Sequence, residues 1–332
     1  MVISRTPFRI SFFGGGTDYP VWYKENGGSV LSTTINKYCY ITTRFLPPFF
    51  DYKHRIRYFK REDVKTIDQI KHPSVRECMK YLKIKEGIEI VHHADLPARS
   101  GLGSSSSFTV GLLNALWGLK NSMPSKEELM YQAIHIEQDL INENVGSQDQ
   151  AAAAFGGFNR FDFLKNGNIQ SRPILIDQEG LSCLQNNLLL FFTGISRTAS
   201  KIAGQKIQAI PKRHEQLLRM MNLVDDAFTL LKEGKDNMDE FGRLLDEQWN
   251  IKKTITKNIS NDKIDSIYET ALKSGALGGK LLGAGNGGFI VFYVQPKYQR
   301  SVIQKLSPLL HVPFKFEFEG SKIIYYSNNN HE

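Results

Sequence analysis

The apolar positions of the chain fall into two regimes. Up to about Thr193, runs rich in β-branched and aromatic residues alternate with two helical stripes. Runs at 38–45, 88–93, 158–163 and 188–193 read as strands. Phe108, Leu112, Leu116 and Leu119 share one stripe of a helix that starts within the serine run 104–107. After Pro124, Ser125 and Glu128 spell an S-x-x-E capping box, which opens a second helix. Its stripe is Leu129, Ala133, Ile136 and Leu140, and it stops before Gly146. Glu137 falls on the polar side of that helix, where a solvated face is the ordinary expectation.

From about Pro211 to Ser274 the pattern turns helical. Leu217, Val224, Phe228 and Leu231 mark one helix, Phe241, Leu245 and Trp249 a second, and Ile264, Ile267 and Ala271 a third ended by Gly275. Short strands return at 289–294, 314–318 and 323–326. The change of regime predicts two α+β domains, residues 1–190 and 191–332.

Three glycine-rich segments and one aspartate carry candidate chemistry. In the first, Arg9 and Asp18 flank Gly14, Gly15, Gly16 and Thr17, a stretch where backbone can approach another group closely. A plain β-turn with an Asx-turn aspartate explains the same residues. The second runs from Asp95 through Pro97, Arg99, Gly101, Leu102 and Gly103 into Ser104, Ser105, Ser106 and Ser107. A glycine loop feeding a helix N-terminus presents backbone N–H groups and the positive end of the dipole, which suits phosphate. Serine is also an ordinary helix cap, but four in a row exceed that need.

The third segment, Gly283 to Gly288, matches G-x-G-x-x-G as a string. Its context rejects a dinucleotide fingerprint, because the strand-like run 289–294 follows where a helix belongs. It reads instead as a loop whose amides face substrate or phosphate, or as a tight strand-entry turn. Asp149, in Gly146-Ser147-Gln148-Asp149-Gln150 before an alanine run, has the setting of a general base, or of another Asx-turn. No P-loop, protein-kinase, nucleophile-elbow or H-E-x-x-H string occurs. His92 and His93 alternate across a strand, which favours a core or edge role over metal binding.

Composition narrows the classes further. A chain of 332 residues exceeds what one hydrophobic core usually serves, and 41% hydrophobic with 23% charged residues is globular rather than disordered or fibrous. Three widely spaced cysteines, Cys39, Cys78 and Cys183, make neither a disulfide framework nor a zinc site. No apolar signal region opens the chain and no run approaches a membrane span. The expectation is a soluble cytoplasmic protein without a membrane partner. Lys plus Arg number 42 against 34 Asp plus Glu, a net +8 that suits nucleic acid or phosphorylated small molecules. The stretch 53–61 interleaves cations with aromatics as a nucleic-acid binder would. Its alternation and its acidic flanks, Asp51, Glu62 and Asp63, describe an exposed hairpin strand, so no nucleic-acid partner is expected.

In their order, FRISFFGGGTDYP, LPARSGLGSSSSF, GSQDQ with AFGGFN, and GGKLLGAGNGGF resemble the GHMP family of small-molecule kinases. That family is named for galactokinase, homoserine kinase, mevalonate kinase and phosphomevalonate kinase. Within it the strings are most similar to bacterial D-glycero-D-manno-heptose 7-phosphate kinases, and fucose kinases share much of the pattern. The resemblance implies an α+β, two-domain GHMP kinase fold: an N-terminal ribosomal-protein-like α/β domain and a C-terminal ferredoxin-like α+β domain.

It implies ATP and Mg²⁺ as cofactors and a sugar phosphate as the partner. The reaction implied is phosphorylation of the anomeric hydroxyl to a 1,7-bisphosphate, for nucleotide-activated heptose used in bacterial surface glycans. Pro97, Arg99, Gly101, Leu102, Gly103, Ser104, Ser105 and Ser106 would surround the ATP phosphates, with Ser105 and Glu137 on Mg²⁺. Asp149 would be the base, with Arg9 beside it. Gly14, Gly15, Gly16, Thr17, Asp18, Ser147, Gln148, Gly285, Asn286 and Gly287 would meet the acceptor. Arg99, Arg197, Lys201 and Lys280 are the cations available to its phosphate. Galactokinases carry Glu-His where this chain has Gly15-Gly16, which leaves room for a bulkier acceptor. Alternatives are a fucose or other hexose 1-kinase, or a non-catalytic relative that binds sugar and ATP; the oligomeric state stays open.

Overall fold

Two long antiparallel strands, β1 (Val2–Phe13) and β2 (Gly28–Phe45), frame the molecule and carry the first glycine segment between them. This computed structural model describes residues 1–98, 100–195 and 199–327, with the side chains at 199–202 and 206 outside that description. Helix α1 (Pro20–Asn26) follows the glycine turn. Next come the hairpin β3 (His54–Arg57) and β4 (Arg61–Val64), helix α2 (Pro73–Tyr81) and strand β5 (Ile88–Ala94). Helices α3 (Ser104–Leu119), α4 (Lys126–Ile134) and α5 (Gln148–Phe155) pack beneath. Strands β6 (Phe158–Phe163) and β7 (Ile169–Pro173) and helix α6 (Gln178–Asn186) complete this part.

The second part opens with β8 (Leu188–Phe192) and α7 (Ala199–Ala209). It continues through α8 (His214–Lys232), α9 (Met238–Ile255), α10 (Asp262–Lys273), β9 (Ala276–Leu281), β10 (Phe289–Val294), α11 (Pro296–Lys305) and β11 (Leu310–His311). Two short strands, β12 (Phe316–Glu317) and β13 (Lys322–Tyr326), close the chain's described course.

Among the described residues these strands make two sheets. One runs β13-β1-β2-β5-β3-β4, with β6 and β12 also on β2 and β7 on β6; the other runs β11-β8-β10-β9. Length explains how β2 serves several partners. Its first third pairs with β6, its middle with β12 and its last part, Cys39–Phe45, with β5. Helix α3 is apolar almost all round, the mark of a helix enclosed by protein, and it lies against β1 and β2. Ser4 Oγ donates to the Gly111 carbonyl at 2.7 Å and so fixes its height on β1.

The two-domain expectation needs one correction. The second sheet does begin at Leu188, but the chain does not stay with it. Beyond His311 it crosses back, and β13 pairs with Val2–Arg5 of β1 while Phe316 and Glu317 pair with Ile35 and Thr34 of β2. The unit around the first sheet is therefore built from both ends of the chain. The two units share a core: Phe241 of α9 sits edge-on against Phe12 at 5.2 Å and Phe13 at 5.1 Å.

A second correction concerns the helix after Pro124. Its capping box is reciprocal, Ser125 Oγ accepting from Glu128 N at 3.1 Å and Glu128 Oε2 from Ser125 N at 2.7 Å. The regular period then fails, because His135–Leu140 is π-helix. A π-turn holds about one more residue per turn and rotates the residues beyond it about the helix axis. Leu140, expected on the apolar stripe, is 39% exposed, while Glu137, expected in solvent, is fully buried.

The 53–61 stretch is strand and turn. His54 and Ile56 point inward, and Arg55 lies over the Phe50 and Tyr52 rings with Glu89 and Asp63 beside it. No described helix is long and apolar enough to cross a membrane.

Candidate active site

Strand alternation puts Arg9 of β1 on the face turned towards the cleft between the two sheets. Its guanidinium grips Asp149 with two parallel hydrogen bonds, Nε to Oδ1 at 2.8 Å and Nη2 to Oδ2 at 2.9 Å. The remaining arm, Nη1, donates to the Gly101 carbonyl at 2.8 Å. One side chain thus ties the aspartate to the second glycine segment, in the bidentate geometry that orients a carboxylate best. Asp149 sits in the first turn of α5, where the helix dipole favours a negative charge.

The loop between β5 and α3 crosses directly over this pair. A Cβ on Gly103 would lie 3.2 Å from Arg9 Cγ and 3.6 Å from Asp149 Cγ, and the residue is left-handed with φ +75°. Gly103 is also the N-cap of α3 and supplies no side-chain cap, and the first turn of that helix lines the cleft with its positive end. Gly101, Ser104, Ser105 and Ser106 line the cleft as the resemblance implied. Leu102 does not: it is fully buried, and its carbonyl accepts from Arg9 N at 3.1 Å, anchoring the loop. Pro97 is exposed and lies outside the cleft lining, and Arg99 falls outside the described residues.

The first glycine segment divides in the same way. Gly15 and Asp18 line the cleft. Asp18 Oδ1 accepts from Gly16 N at 2.8 Å and Oδ2 from Gln148 Nε2 at 3.0 Å, which joins the segment to the turn carrying Asp149. Gly14, Gly16 and Thr17 are buried behind it. Thr17 Oγ1 accepts from Ser29 N and lies 2.9 Å from the carbonyls of Gly14 and Ser29. Ser147 is also fully buried: Gln138 Nε2 donates to its hydroxyl at 3.1 Å, and its amide donates to Asp18 O at 2.9 Å. These four lie behind the cleft wall and hold it in shape rather than face the cleft.

From the second unit, Gly283 and Ala284 of the third glycine segment reach the cleft. Gly285, Asn286 and Gly287 do not. A Cβ on Gly285 would meet Ile259 and one on Gly287 would meet Ile195, while Asn286 N donates to Ile259 O at 2.7 Å. Their glycines serve packing. Lys280 lines the cleft at 3% exposure and its Nζ donates to the Phe12 carbonyl at 2.6 Å, a bond between the two units. Lys252 on α9, which the sequence did not single out, joins it there. Its Nζ donates to Leu281 O at 2.9 Å and Gly283 O at 2.7 Å and so fastens the third segment. Its place beside Trp249 in a helical stripe hid it. Arg197 lies outside the described residues, as does the side chain of Lys201.

Comparison with known proteins decides the family. The model of the GHMP kinases N terminal domain matches residues 71–157, and that of the GHMP kinases C terminal matches 227–308. A D-glycero-alpha-D-manno-heptose 7-phosphate kinase of Campylobacter jejuni is 31% identical over 91% of this chain and 92% of that protein. The chain belongs to the GHMP kinases. A crystal structure described as a D-glycero-D-manno-heptose 1-phosphate kinase from Bacteroides thetaiotaomicron superposes with a TM-score of 0.74 at 26% identity, covering 98% of this chain and 100% of that one. A bifunctional fucokinase/GDP-fucose pyrophosphorylase of Arabidopsis thaliana is 26% identical over 85% of this chain, which spans 29% of that protein. The two-domain GHMP kinase fold and an ATP-dependent phosphotransferase activity with a sugar acceptor come with this membership.

GHMP chemistry brings Mg²⁺ into question, and Ser105 with Glu137 was the expected pair. Ser105 is exposed to the cleft. Glu137, carried inward by the π-turn, is sealed behind α3. Its carboxylate accepts from Ser106 Oγ at 2.7 Å, from Thr109 Oγ1 at 2.7 Å and from Gln150 Nε2. Burial pushes its pKa up to about 7, against the opposing pull of the Thr109 and Ser106 hydroxyls. Glu137 bonds the hydroxyls of Ser106 and Thr109 rather than that of Ser105, and no cluster of three or more His, Cys, Asp or Glu able to hold a metal occurs among the described residues. The expected pair does not fit a metal. What Glu137 does is link the first turn of α3 to the residue after Asp149.

Proposed function

We propose that this GHMP kinase transfers the γ-phosphoryl group of ATP to the anomeric hydroxyl of D-glycero-D-manno-heptose 7-phosphate, giving the 1,7-bisphosphate and ADP. The observation that carries the reading is the Arg9–Asp149 grip beneath the phosphate loop, with the buried Lys280 and Lys252 on the facing wall. Phosphoryl transfer asks for alignment and charge neutralisation more than for covalent chemistry. The first turn of α3 and the Ser104 and Ser105 hydroxyls would receive the ATP phosphates. Arg9 holds both Asp149 oxygens in one plane, and each oxygen keeps a second lone pair for an incoming proton. Asp149 would accept the acceptor's hydroxyl proton as the oxygen attacks the γ-phosphorus and ADP leaves. Both proposed substrates are anionic, and the two lysines bring positive charge to the cleft they would share. A heptose phosphate acceptor is also what the names of the Campylobacter and Bacteroides relatives state for those proteins.

The test is a turnover comparison of heptose 7-phosphate, unphosphorylated heptose, fucose and mannose with ATP. Heptose 7-phosphate should exceed unphosphorylated heptose in kcat/KM by about tenfold or more, the scale of one charge-assisted contact. If removal of the 7-phosphate leaves kcat/KM unchanged, the substrate reading is wrong. Asp149→Asn should lower kcat by about a hundredfold to ten-thousandfold with the Kd for ATP nearly intact. Full activity in that variant removes Asp149 from the base role.

A further inference from the structure

Asp149 stands at the head of α5, a helix of only eight residues. An isolated helix that short is unstable in water, so its place is set by what holds its ends. The returning chain holds the far end. Ser321 N donates to the Ala153 carbonyl at 2.8 Å, one helical turn beyond Asp149, and satisfies a carbonyl that the helix itself leaves open. Next to it, Gly157 N donates to Glu317 O at 3.2 Å. The two segments meet backbone to backbone. A Cβ on Gly320 would lie 2.1 Å from Ala154 O, and one on Gly156 would lie 2.1 Å from Gly320 N.

The side chain of Ser321 extends this grip to two further elements. Its Oγ lies 2.8 Å from Thr6 Oγ1 of β1 and accepts from Asn114 Nδ2 of α3 at 3.0 Å. Thr6 is fully enclosed and Asn114 nearly so, which leaves little water to stand in for the serine. Thr6 precedes Arg9 by three residues on the same strand, and Asn114 belongs to the helix that the phosphate loop opens. One residue thus joins the elements that carry Asp149, its arginine partner and the phosphate loop. Arg9 and Glu137 join them at the cleft end; Ser321 joins them at the other.

We infer that Ser321 is a positioning residue for phosphoryl transfer, setting α5 against β1 and α3 and thereby Asp149 against Arg9 and the phosphate loop. It lies outside the cleft lining, so it acts through these elements and not on substrate. Alignment has leverage here, because a misplacement of about 1 Å caused by a distant change can cost roughly a hundredfold in rate. The inference rests on Asp149 being the base, not on which sugar is the acceptor.

Ser321→Ala tests it, assayed well below its Tm with whichever sugar the wild type uses best. The kcat should fall about tenfold, with the KM of both substrates within about twofold. Ser321→Thr keeps the hydroxyl and should hold kcat within about threefold of wild type. On an Arg9→Lys background, where the two-pronged grip is already lost, Ser321→Ala should cost less than about twofold. Tyr326→Phe breaks the bond to Asn121 elsewhere on the closing strand and should leave kcat unchanged. A lowered Tm with kcat intact in Ser321→Ala would mean that the serine serves stability alone, and overturns the inference. A full tenfold loss in Ser321→Thr, or on the Arg9→Lys background, overturns it as well. Should Ser321→Ala not fold, Thr6→Val removes the β1 bond alone and should lower kcat about threefold; an unchanged kcat there counts against the inference equally. Activity that survives Asp149→Asn would instead sink the base assignment, whatever the serine variants do.

Discussion

Arg9 and Asp149 are the residues whose pairing was most legible in the sequence, because Arg9 leads into the first glycine segment and Asp149 stands in a polar turn before an alanine run. Glu137 was legible as to importance and misread as to place. The resemblance picked it out, but only the structure, with its π-turn at His135–Leu140, shows that it faces inward. Ser321 was not legible at all, since a serine between a glycine and a lysine looks like any surface residue until its partners are found. Glu137 also gives a prediction with a definite sign. Its folded pKa, about 7, lies above the ordinary value of 4.5, so between these values the folded protein holds a proton that the unfolded chain has released. The stability this group contributes is full below pH 4.5 and lost as pH rises through 7. From pH 5 to pH 8 the wild type should lose stability relative to Glu137→Gln, by roughly 2–3 kcal/mol or a few degrees in Tm for a chain this long. Parallel Tm curves for the two proteins across that range would refute the assignment.

At the scale of elements, the strands and helices that hold the site follow patterns visible in the chain: the serine start of α3, the capping box of α4, and the strand after the third glycine segment. Contacts between loops distant in sequence were not visible. Gly288, at the end of the third segment, packs on the phosphate loop. A Cβ there would lie 2.2 Å from the Ser100 carbonyl, and the next amide, Phe289 N, donates to that same carbonyl at 3.0 Å. The second unit therefore buttresses the phosphate loop by backbone contact alone. Gly288→Ala cannot be accommodated without moving Ser100, and strain of this kind costs roughly 1–3 kcal/mol. Calorimetry should show the Kd for ATP rising about tenfold, although residue 288 itself lies outside the cleft lining. An unchanged Kd would show that the two loops are not coupled.

For the whole molecule, the change from strand-rich to helix-rich sequence located the second sheet but could not reveal the crossing back, because β12 and β13 are too short to announce their partners. This bears on what can be cut. A fragment of residues 1–190 contains every motif of the first unit, yet it lacks the strand on the outer edge of β1 and the Phe241 wedge against Phe12 and Phe13. We expect it to show no cooperative thermal transition by circular dichroism and to sediment as aggregates, an open apolar edge being a pairing template. A sharp melt from a monomeric fragment would contradict this. The net +8 finds part of its use in Arg9, Lys252 and Lys280 at the cleft, and Arg55 is matched by acids at the hairpin. The closing strand has one more consequence, in time rather than space. Met1 N and Ser327 O, bonded at 2.8 Å, are 326 positions apart in the chain. At 5–20 residues per second, β1 waits on the ribosome roughly 15–65 s for the partner that covers its edge, and Arg9 waits with it. The first strand of the catalytic frame to be made is therefore among the last to be finished.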